Sequence, residues 1–175
     1  QRIWFKRGKI TKKSMEVVMK PNIGISEKNL EGVIKILSTL LADEYVLYTK
    51  ARNYHWNVVG PQFNELHKFF QSIYEELNEH IDDIAERIRS LGGWSVATLS
   101  EFLQLTRLKE HPGEYPDARK MIENLLNDYE AVIRTLREDI VKVGDEYKDL
   151  GTADFLTELM EKHEKTAWML RSFLS

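Results

Sequence analysis

Residues 63–91, FNELHKFFQSIYEELNEHIDDIAERIRSL, decide the fold of this chain. Apolar side chains recur there at intervals of three and four residues, the spacing that places them on one face of an α-helix. Gly92 and Gly93 follow at once, and glycine best tolerates the left-handed conformation that often follows a helix end. The stretch predicts one long amphipathic helix, whose buried face carries Phe63, Leu66, Phe70, Ile73, Leu77, Ile81, Ile84, Ile88 and Leu91.

Three further long stretches have the same helical spacing. The first follows a good N-cap residue, Ser26, and is broken at Gly60. Another starts near Asp117 and weakens at Gly144, and the last is predicted to be capped by the Thr152 hydroxyl. No stretch alternates between apolar and polar residues as a half-buried strand would, so the sequence predicts an all-α protein.

The connection between the second and third long helices is about 25 residues long, beyond an ordinary link between neighbouring helices. Within it, Thr98 and Glu101 form a capping-box pattern that predicts a short extra helix. A connection of this length can cross the bundle, so the second and third long helices are predicted to run parallel. We expect a four-helix bundle domain over residues 26–175, preceded by a basic extension over residues 1–25.

Composition fits a globular chain with two electrostatic regions. The 175 residues are 42% hydrophobic and 30% charged, and they include no cysteine, which excludes disulfides and thiolate metal sites. No apolar run could span a bilayer and residues 1–9 lack a signal-peptide core, so we expect a cytoplasmic protein without membrane contact. Residues 1–20 carry a net charge of +6; because the whole chain carries −3, residues 21–175 carry −9.

Side chains that bind metals cluster at the end of the first helix and along the second. They are His55, His67, Asp82 and Glu86, and imidazole together with carboxylate suits iron, manganese or zinc. Position 71 and Asp82 are eleven residues apart, so the two half-sites share nearly one face but lie roughly 16 Å apart along the axis. A single ion cannot bridge that distance.

A second copy of the same helix would resolve this separation. If two copies pack antiparallel about a two-fold axis near Glu76, His67 of one copy faces the acids Asp82 and Glu86 of the other. Such an interface generates two identical sites and makes the dimer obligatory for metal chemistry. The competing interpretations are a core-stacked ring for His55, a polar interface residue for His67, and a solvated stripe for the two acids.

The stretches around these ligands form a specific pattern. They are YHWNVVGP (54–61), DDIAERIRSLGG (82–93) and, near the end of the chain, WMLRSFL (168–174). Together with two histidines twelve positions apart, they closely resemble the Dps family of mini-ferritins, over residues 26–175. The resemblance implies a ferritin-like bundle with a short extra helix in its crossover.

The same resemblance implies a hollow shell of twelve subunits built from two-fold dimers. Ferrous iron would be oxidised at the dimer interfaces, preferably by hydrogen peroxide, and stored inside as a ferric mineral that limits oxidative stress. His55 and His67 would come from one subunit. Its neighbour would supply Asp82 and Glu86, the latter as a bridging carboxylate, and Trp56 would lie beside the site as an oxidisable ring.

Gln71 departs from this pattern, because the family usually has an aspartate four residues after the second histidine. A neutral amide is a poorer ligand for a hard cation and adds no charge. We expect a weakened iron position, a water-filled one, or a site that prefers zinc. The chain also lacks the Glu-x-x-His motif of di-iron bundles, so a centre of that type within one subunit is not expected.

Acids around the start of the last helix have two interpretations. Asp149, Asp154 and Glu158 would stabilise the helix N-terminus through its dipole. Alternatively, the resemblance implies that such acids, Asp154 above all, line three-fold pores that draw ferrous ions inward.

The remaining polar features receive simpler predictions. His80, His111 and His163 have no ligand-spaced partners and are predicted to lie at the surface. The basic arm would either bind DNA phosphates, as extensions of some Dps proteins do, or form a solvated extension. The alternative function is therefore a DNA-binding protective shell whose metal site is weakened or holds zinc.

Overall fold

The computed structural model describes residues 19–175, and every regular element in that range is helical. The basic arm, for which DNA binding is one of two interpretations, falls almost wholly on residues 1–18, outside the described residues. Among residues 19–175, no helix combines the length and hydropathy that a bilayer crossing requires. The elements are α1 (Glu27–Asn57), α2 (Phe63–Ser90), α3 (Leu99–Leu105), α4 (Ala118–Val141), a π-helical segment (Lys142–Glu146) and α5 (Leu150–Leu174).

Contacts between the helices define a bundle with one crossover. Lys50 of α1 pairs with Asp128 of α4. Tyr54, one turn further along α1, accepts a hydrogen bond from Asn124, one turn earlier in α4, so these two helices run antiparallel. The short link after α1 makes α2 antiparallel to α1, and α2 therefore runs parallel to α4. The predicted all-α four-helix bundle with a short helix in its crossover is confirmed.

The inward faces of the four long helices form one apolar core. Leu37, Leu77, Leu125 and Leu156, one from each helix, are fully buried. Burial of such a side chain stabilises the fold by about 1.5–3 kcal/mol. The predicted apolar stripe of α2 faces this core, except that Phe63, at the start of the helix, is 47% exposed.

The helices begin at the predicted caps with one exception. Ser26, Thr98 and Asp117 each accept a backbone N–H from the first turn of the following helix, and Thr98 forms the predicted capping box. The prediction that Thr152 caps the last helix is wrong. Asp149 caps α5 instead, because its carboxylate accepts both the Thr152 N–H, at 2.9 Å, and the Thr152 hydroxyl.

The link between α4 and α5 packs closely on α1. The predicted weak point at Gly144 lies inside the π-helical segment. The Tyr147 ring follows and lies against Gly32, where an added Cβ would be only 2.5 Å from the ring. Asn29 donates a hydrogen bond from Nδ2 to the Tyr147 carbonyl at 3.0 Å. Lys148, with φ 59°, then turns the chain into α5.

A buried aspartate attaches the crossover to α1. Asp43 is inaccessible to solvent and accepts hydrogen bonds from Thr106 Oγ1, at 2.8 Å, and from Arg107 N and Nε, both at 2.7 Å. Arg107 also lies 3.6 Å from Asp139 of α4. The crossover is thereby fixed to α1 just after α3 ends.

Candidate metal centre

The short link between α1 and α2 brings together the two histidines that the sequence singles out. The rings of His55 and His67 stack with centroids 3.8 Å apart and planes inclined by 21°. His55 Nδ1 lies 2.7 Å from the main-chain carbonyl oxygen of His67, and His67 Nδ1 lies 2.8 Å from that of His55. A carbonyl oxygen only accepts hydrogen bonds, so both Nδ1 atoms carry protons.

These hydrogen bonds prepare both rings as metal ligands. When Nδ1 carries the proton of a neutral imidazole, Nε2 keeps a lone pair, and a main-chain carbonyl is a common partner for the N–H of a metal-binding histidine. Within residues 19–175, neither Nε2 atom has a hydrogen-bond partner. His55 is buried and His67 is half-buried, so the pair is held firmly at the edge of the bundle.

Large apolar side chains near this histidine pair are exposed. Phe63 stacks on His67 with centroids 5.1 Å apart. Trp56, predicted to lie beside the site, follows His55 in the chain and is 66% exposed, and Val59 is 73% exposed. Large apolar side chains that cluster at a surface are typical of regions covered by another protein.

The two predicted acidic ligands are not brought to the histidines within one chain. Asp82 and Glu86 are exposed on α2, and Asp82 lies roughly 22 Å from His67 along the helix axis. Asp82 borders a shallow groove between α1 and α2, next to Asn78 and Tyr45. A single chain therefore presents two separate half-sites.

The residues between the half-sites have other partners. Gln71 is half-buried and donates from Nε2 to Glu75 Oε1 at 2.7 Å. Glu76, which marks the level of the predicted two-fold axis, turns toward α5, where Thr166 donates to its carboxylate at 3.4 Å. The exposed face of α2 at that level is formed by Glu75 and Asn78.

The acids near the start of α5 separate into two groups. Asp149 is 2% exposed, caps the helix and lies 3.3 Å from Arg87 Nη2, so it has the helix-stabilising role. Asp154 and Glu158 are exposed, and their pore role stays a prediction. His111 is exposed, as predicted.

The prediction of surface positions for His80 and His163 is wrong. His80 is 6% exposed and His163 is inaccessible to solvent. They meet the fully buried Glu44 at the centre of the bundle, so that α1, α2 and α5 each contribute one side chain. The reason is positional, because each of the three residues lies on the inward face of its helix.

The geometry of this central group fits a metal ion. His163 Nε2 lies 2.7 Å from Glu44 Oε1, and His80 Nδ1 lies 3.7 Å from Glu44 Oε2. One potential ligand atom from each residue lies within 4.8 Å of the other two. The missing Glu-x-x-His motif excludes the paired di-iron arrangement, but it does not exclude a carboxylate and two imidazoles assembled from three helices.

The electrostatics of the group keep Glu44 ionised. Burial alone would raise the pKa of Glu44, but the charge and hydrogen bond of His163, together with His80, lower that pKa to about 2. Tyr129 packs on His163 with ring centroids 5.0 Å apart. Burial, and then the charges of Glu44 and Glu76, raise the pKa of Tyr129 well above its ordinary value, so its phenol stays protonated.

A pattern in the sequence could have identified this group. Glu44 continues the apolar spacing of Leu37, Leu40 and Leu41 in α1, and His163 follows Leu159 at the same interval in α5. Polar residues at core positions of several helices predict a buried polar network, since an isolated buried charge is costly. The spacing of residues along one helix cannot reveal such a network, because its members lie on three helices.

Comparisons with known proteins agree with this architecture. The family model of the ferritin-like domain matches residues 34–175. An uncharacterized low temperature-induced protein of Nostoc sp. is 53% identical over 153 residues, 87% of this chain and 86% of the relative. DNA protection during starvation protein 2 of Bacillus anthracis is 42% identical over 144 residues, 82% of this chain and 97% of the relative.

A solved structure shares the fold over nearly its whole length. The Dps protein of Vibrio cholerae, described as a member of a superfamily of ferritin-like diiron-carboxylate proteins, matches with a TM-score of 0.83 and 30% identity. The match covers 91% of this chain and 99% of that chain.

Proposed function

Because the chain belongs to the Dps family of the ferritin-like superfamily, we propose that it oxidises ferrous iron at sites shared by two copies of itself. Iron is the substrate, and the ferric product is stored as a mineral inside a hollow shell of twelve subunits. In the proposed reaction, two ferrous ions each give one electron to hydrogen peroxide, which takes up two protons and leaves as two waters. The reaction removes both reagents of oxidative damage.

The reciprocal hydrogen bonds of His55 and His67 carry this proposal. They orient both rings before an ion arrives, so little conformational entropy is lost when Nε2 binds the metal. A stacked pair with a purely structural role would not need both Nε2 atoms free. The arrangement is typical of ligands whose second nitrogen is fixed by the protein.

The second half of the site is proposed to come from a neighbouring copy. Asp82 and Glu86 are exposed and too distant to reach the histidines of their own chain. An antiparallel partner would place them over the histidine pair and would also cover the exposed side chains of Trp56 and Phe63. Glu86 is proposed as the carboxylate that bridges two iron positions.

Gln71 sets the expected strength of the site. Its amide is held by Glu75, whose carboxylate supplies a negative charge one helical turn from the position where the family usually has aspartate. We propose that iron still binds, with one position weaker than in relatives that carry the aspartate. Zinc is the alternative resident ion, because imidazole ligands suit it well.

Delivery of iron is proposed to follow the charge of the bundle. Residues 21–175 carry −9, and a field of that sign concentrates cations at the surface. Asp154 and Glu158 are exposed near the start of α5, where they are proposed to line the pores of the shell.

Stopped-flow absorbance after mixing with ferrous iron and peroxide tests the function. We expect oxidation faster than in buffer, and about a 100-fold loss in a His67→Ala/Glu86→Ala variant that removes one ligand of each half-site. Glu138→Ala is the matched control, because it removes an exposed acid of α4 that belongs to neither half-site. Oxidation at the buffer rate, or an unchanged rate in the double variant, would contradict the proposal.

A second candidate function rests on the charge of the basic arm. Residues 1–20 carry +6, and lysine and arginine neutralise DNA phosphates with a steep dependence on salt. Gel-shift titrations at several salt concentrations, with and without residues 1–20, test this function. A shift that is lost on truncation while iron oxidation is absent would favour a DNA-binding shell, and metal analysis of the purified protein would reveal a zinc-holding one.

A further inference from the structure

We propose that Glu44, His80 and His163 bind a divalent transition-metal ion at the centre of the bundle, inside a single chain. This site is separate from the proposed intersubunit site and does not depend on its function. The three ligands come from α1, α2 and α5. A metal there would link three helices of the same subunit, whereas the intersubunit site needs a second copy.

This group contains buried polar atoms that lack hydrogen-bond partners within residues 19–175. Glu44 Oε2, His80 Nδ1 and His163 Nδ1 are completely buried and have no hydrogen-bond partner among residues 19–175. Buried polar atoms without partners destabilise a fold and are rare in native proteins. Glu44 Oε2 and His80 Nδ1 belong to one group and can both bind a metal, which indicates that the group has a ligand.

The distance between His80 Nδ1 and Glu44 Oε2 also indicates a bound ion. His80 Nδ1 lies 3.7 Å from Glu44 Oε2, too far for a hydrogen bond. Two ligand atoms that each lie about 2.1 Å from a tetrahedral ion are about 3.4 Å apart. The observed gap therefore matches two ligands of one ion better than it matches a direct hydrogen bond, and small side-chain shifts complete the set.

The donor types identify the class of metal. Two imidazoles with one carboxylate are a common ligand set for zinc and for ferrous iron, and they leave a coordination position open. Calcium and magnesium are disfavoured, because they prefer a shell of oxygen atoms. The ligand class is therefore a divalent first-row transition metal.

The surroundings of the group favour a cation. Glu76 lies one turn before His80 on the same face of α2 and contacts Thr166 of α5. The charges of Glu76 and Glu44 both raise the pKa of the Tyr129 phenol. When both imidazoles are neutral, as metal binding requires, the centre has two carboxylates and no lysine or arginine among these residues, so a bound divalent ion would balance the negative charge.

A groove between α2 and α5 connects this centre to the surface. His80 lines this groove together with the acids Asp83, Glu86 and Glu158 and the cations Arg87 and Lys162. Lys162 pairs with Glu158 at 2.9 Å rather than entering the centre. Acids outnumber cations in this lining, so a cation can approach His80 through the groove.

Diffraction from crystals of the full-length wild-type protein soaked in zinc tests the site without any substitution. Data collected on both sides of the zinc absorption edge should show an anomalous peak among Glu44, His80 and His163. A peak at another position only, or no peak anywhere, would show that the group is a closed hydrogen-bonded network and would overturn the proposal.

Cobalt binding in solution gives an independent measurement. In the His67→Ala/Glu86→Ala background, which lacks the intersubunit site, we expect one cobalt ion per chain and a visible absorption band from imidazole coordination. Glu44→Gln keeps the side-chain shape and should weaken cobalt binding at least about 100-fold. Glu79→Gln, an exposed acid beside His80, is the control and should bind cobalt as its parent does.

Equal cobalt affinity in Glu44→Gln and Glu79→Gln would overturn the proposal. Circular dichroism and the size of the assembly establish whether Glu44→Gln folds. If it does not, the anomalous measurement on wild-type crystals decides alone. Absence of iron oxidation in the wild-type protein, with cobalt binding retained, would contradict only the function proposed for the intersubunit site.

Discussion

The imidazole of His55 donates its Nδ1 proton to the main chain of His67, and His67 does the same for His55, at 2.7 and 2.8 Å. Each histidine therefore holds the ring of the other across the turn between α1 and α2. Half of the proposed iron site is completed by local structure alone. Asp82 and Glu86, the remaining ligands, lie several turns further along α2. Activity is therefore expected to depend on a second copy of the chain.

Replacing Gln71 with aspartate should strengthen iron binding. The substitution supplies a charged ligand on the face of His67, and we expect about tenfold tighter ferrous iron, equivalent to about 1.4 kcal/mol. Anaerobic calorimetric titration measures the change. Gln71→Asn is the matched control, because it shortens the side chain without adding charge. Equal affinities in the two variants would show that position 71 does not contact the ion.

Gly32→Ala should destabilise the bundle. The added Cβ would lie 2.5 Å from the Tyr147 ring, which must then move, and such overpacking costs about 1–3 kcal/mol. Thermal unfolding of the variant measures the loss. In a Tyr147→Ala background the same substitution should be neutral or stabilising, because alanine favours a helix over glycine by about 1 kcal/mol. Similar losses in both backgrounds would contradict the contact.

Asp149→Ala should lower the free energy of unfolding by about 2 kcal/mol, because it removes the cap of α5 and the buried partner of Arg87. Asp154→Ala, an exposed acid one turn later, should change it by less than about 0.5 kcal/mol. Urea unfolding compares the two variants. A larger effect from Asp154→Ala would refute the assignment of the structural role to Asp149.

Much of the fold could be predicted from sequence, since it depends on local patterns. Apolar spacing identified the four long helices; Ser26 and Asp117 marked the starts of two of them, and Thr98 marked the start of the short α3. The start of α5 was predicted at Thr152, because threonine is a good cap. The structure instead uses Asp149, whose carboxylate accepts from the Thr152 N–H and hydroxyl together.

The metal chemistry could be predicted only in part. Residue types and spacing singled out His55 and His67, and the link between α1 and α2 does bring them together. The group around Glu44 was missed, because its members lie on three helices and no spacing along one helix relates them. Whether two copies meet across α2 depends on a surface outside the single chain, so the pairing with Asp82 and Glu86 stays a proposal.

Complementation between two inactive variants tests the shared site most directly. The His67→Ala and Glu86→Ala chains, each expected to be nearly inactive alone, are co-expressed in equal amounts. Random pairing makes half of the dimers mixed, and each mixed dimer has one intact site out of two, so about a quarter of the wild-type oxidation rate should return. If His67 and Glu86 acted within the same chain, mixing would restore no activity, and that result would contradict the proposed site.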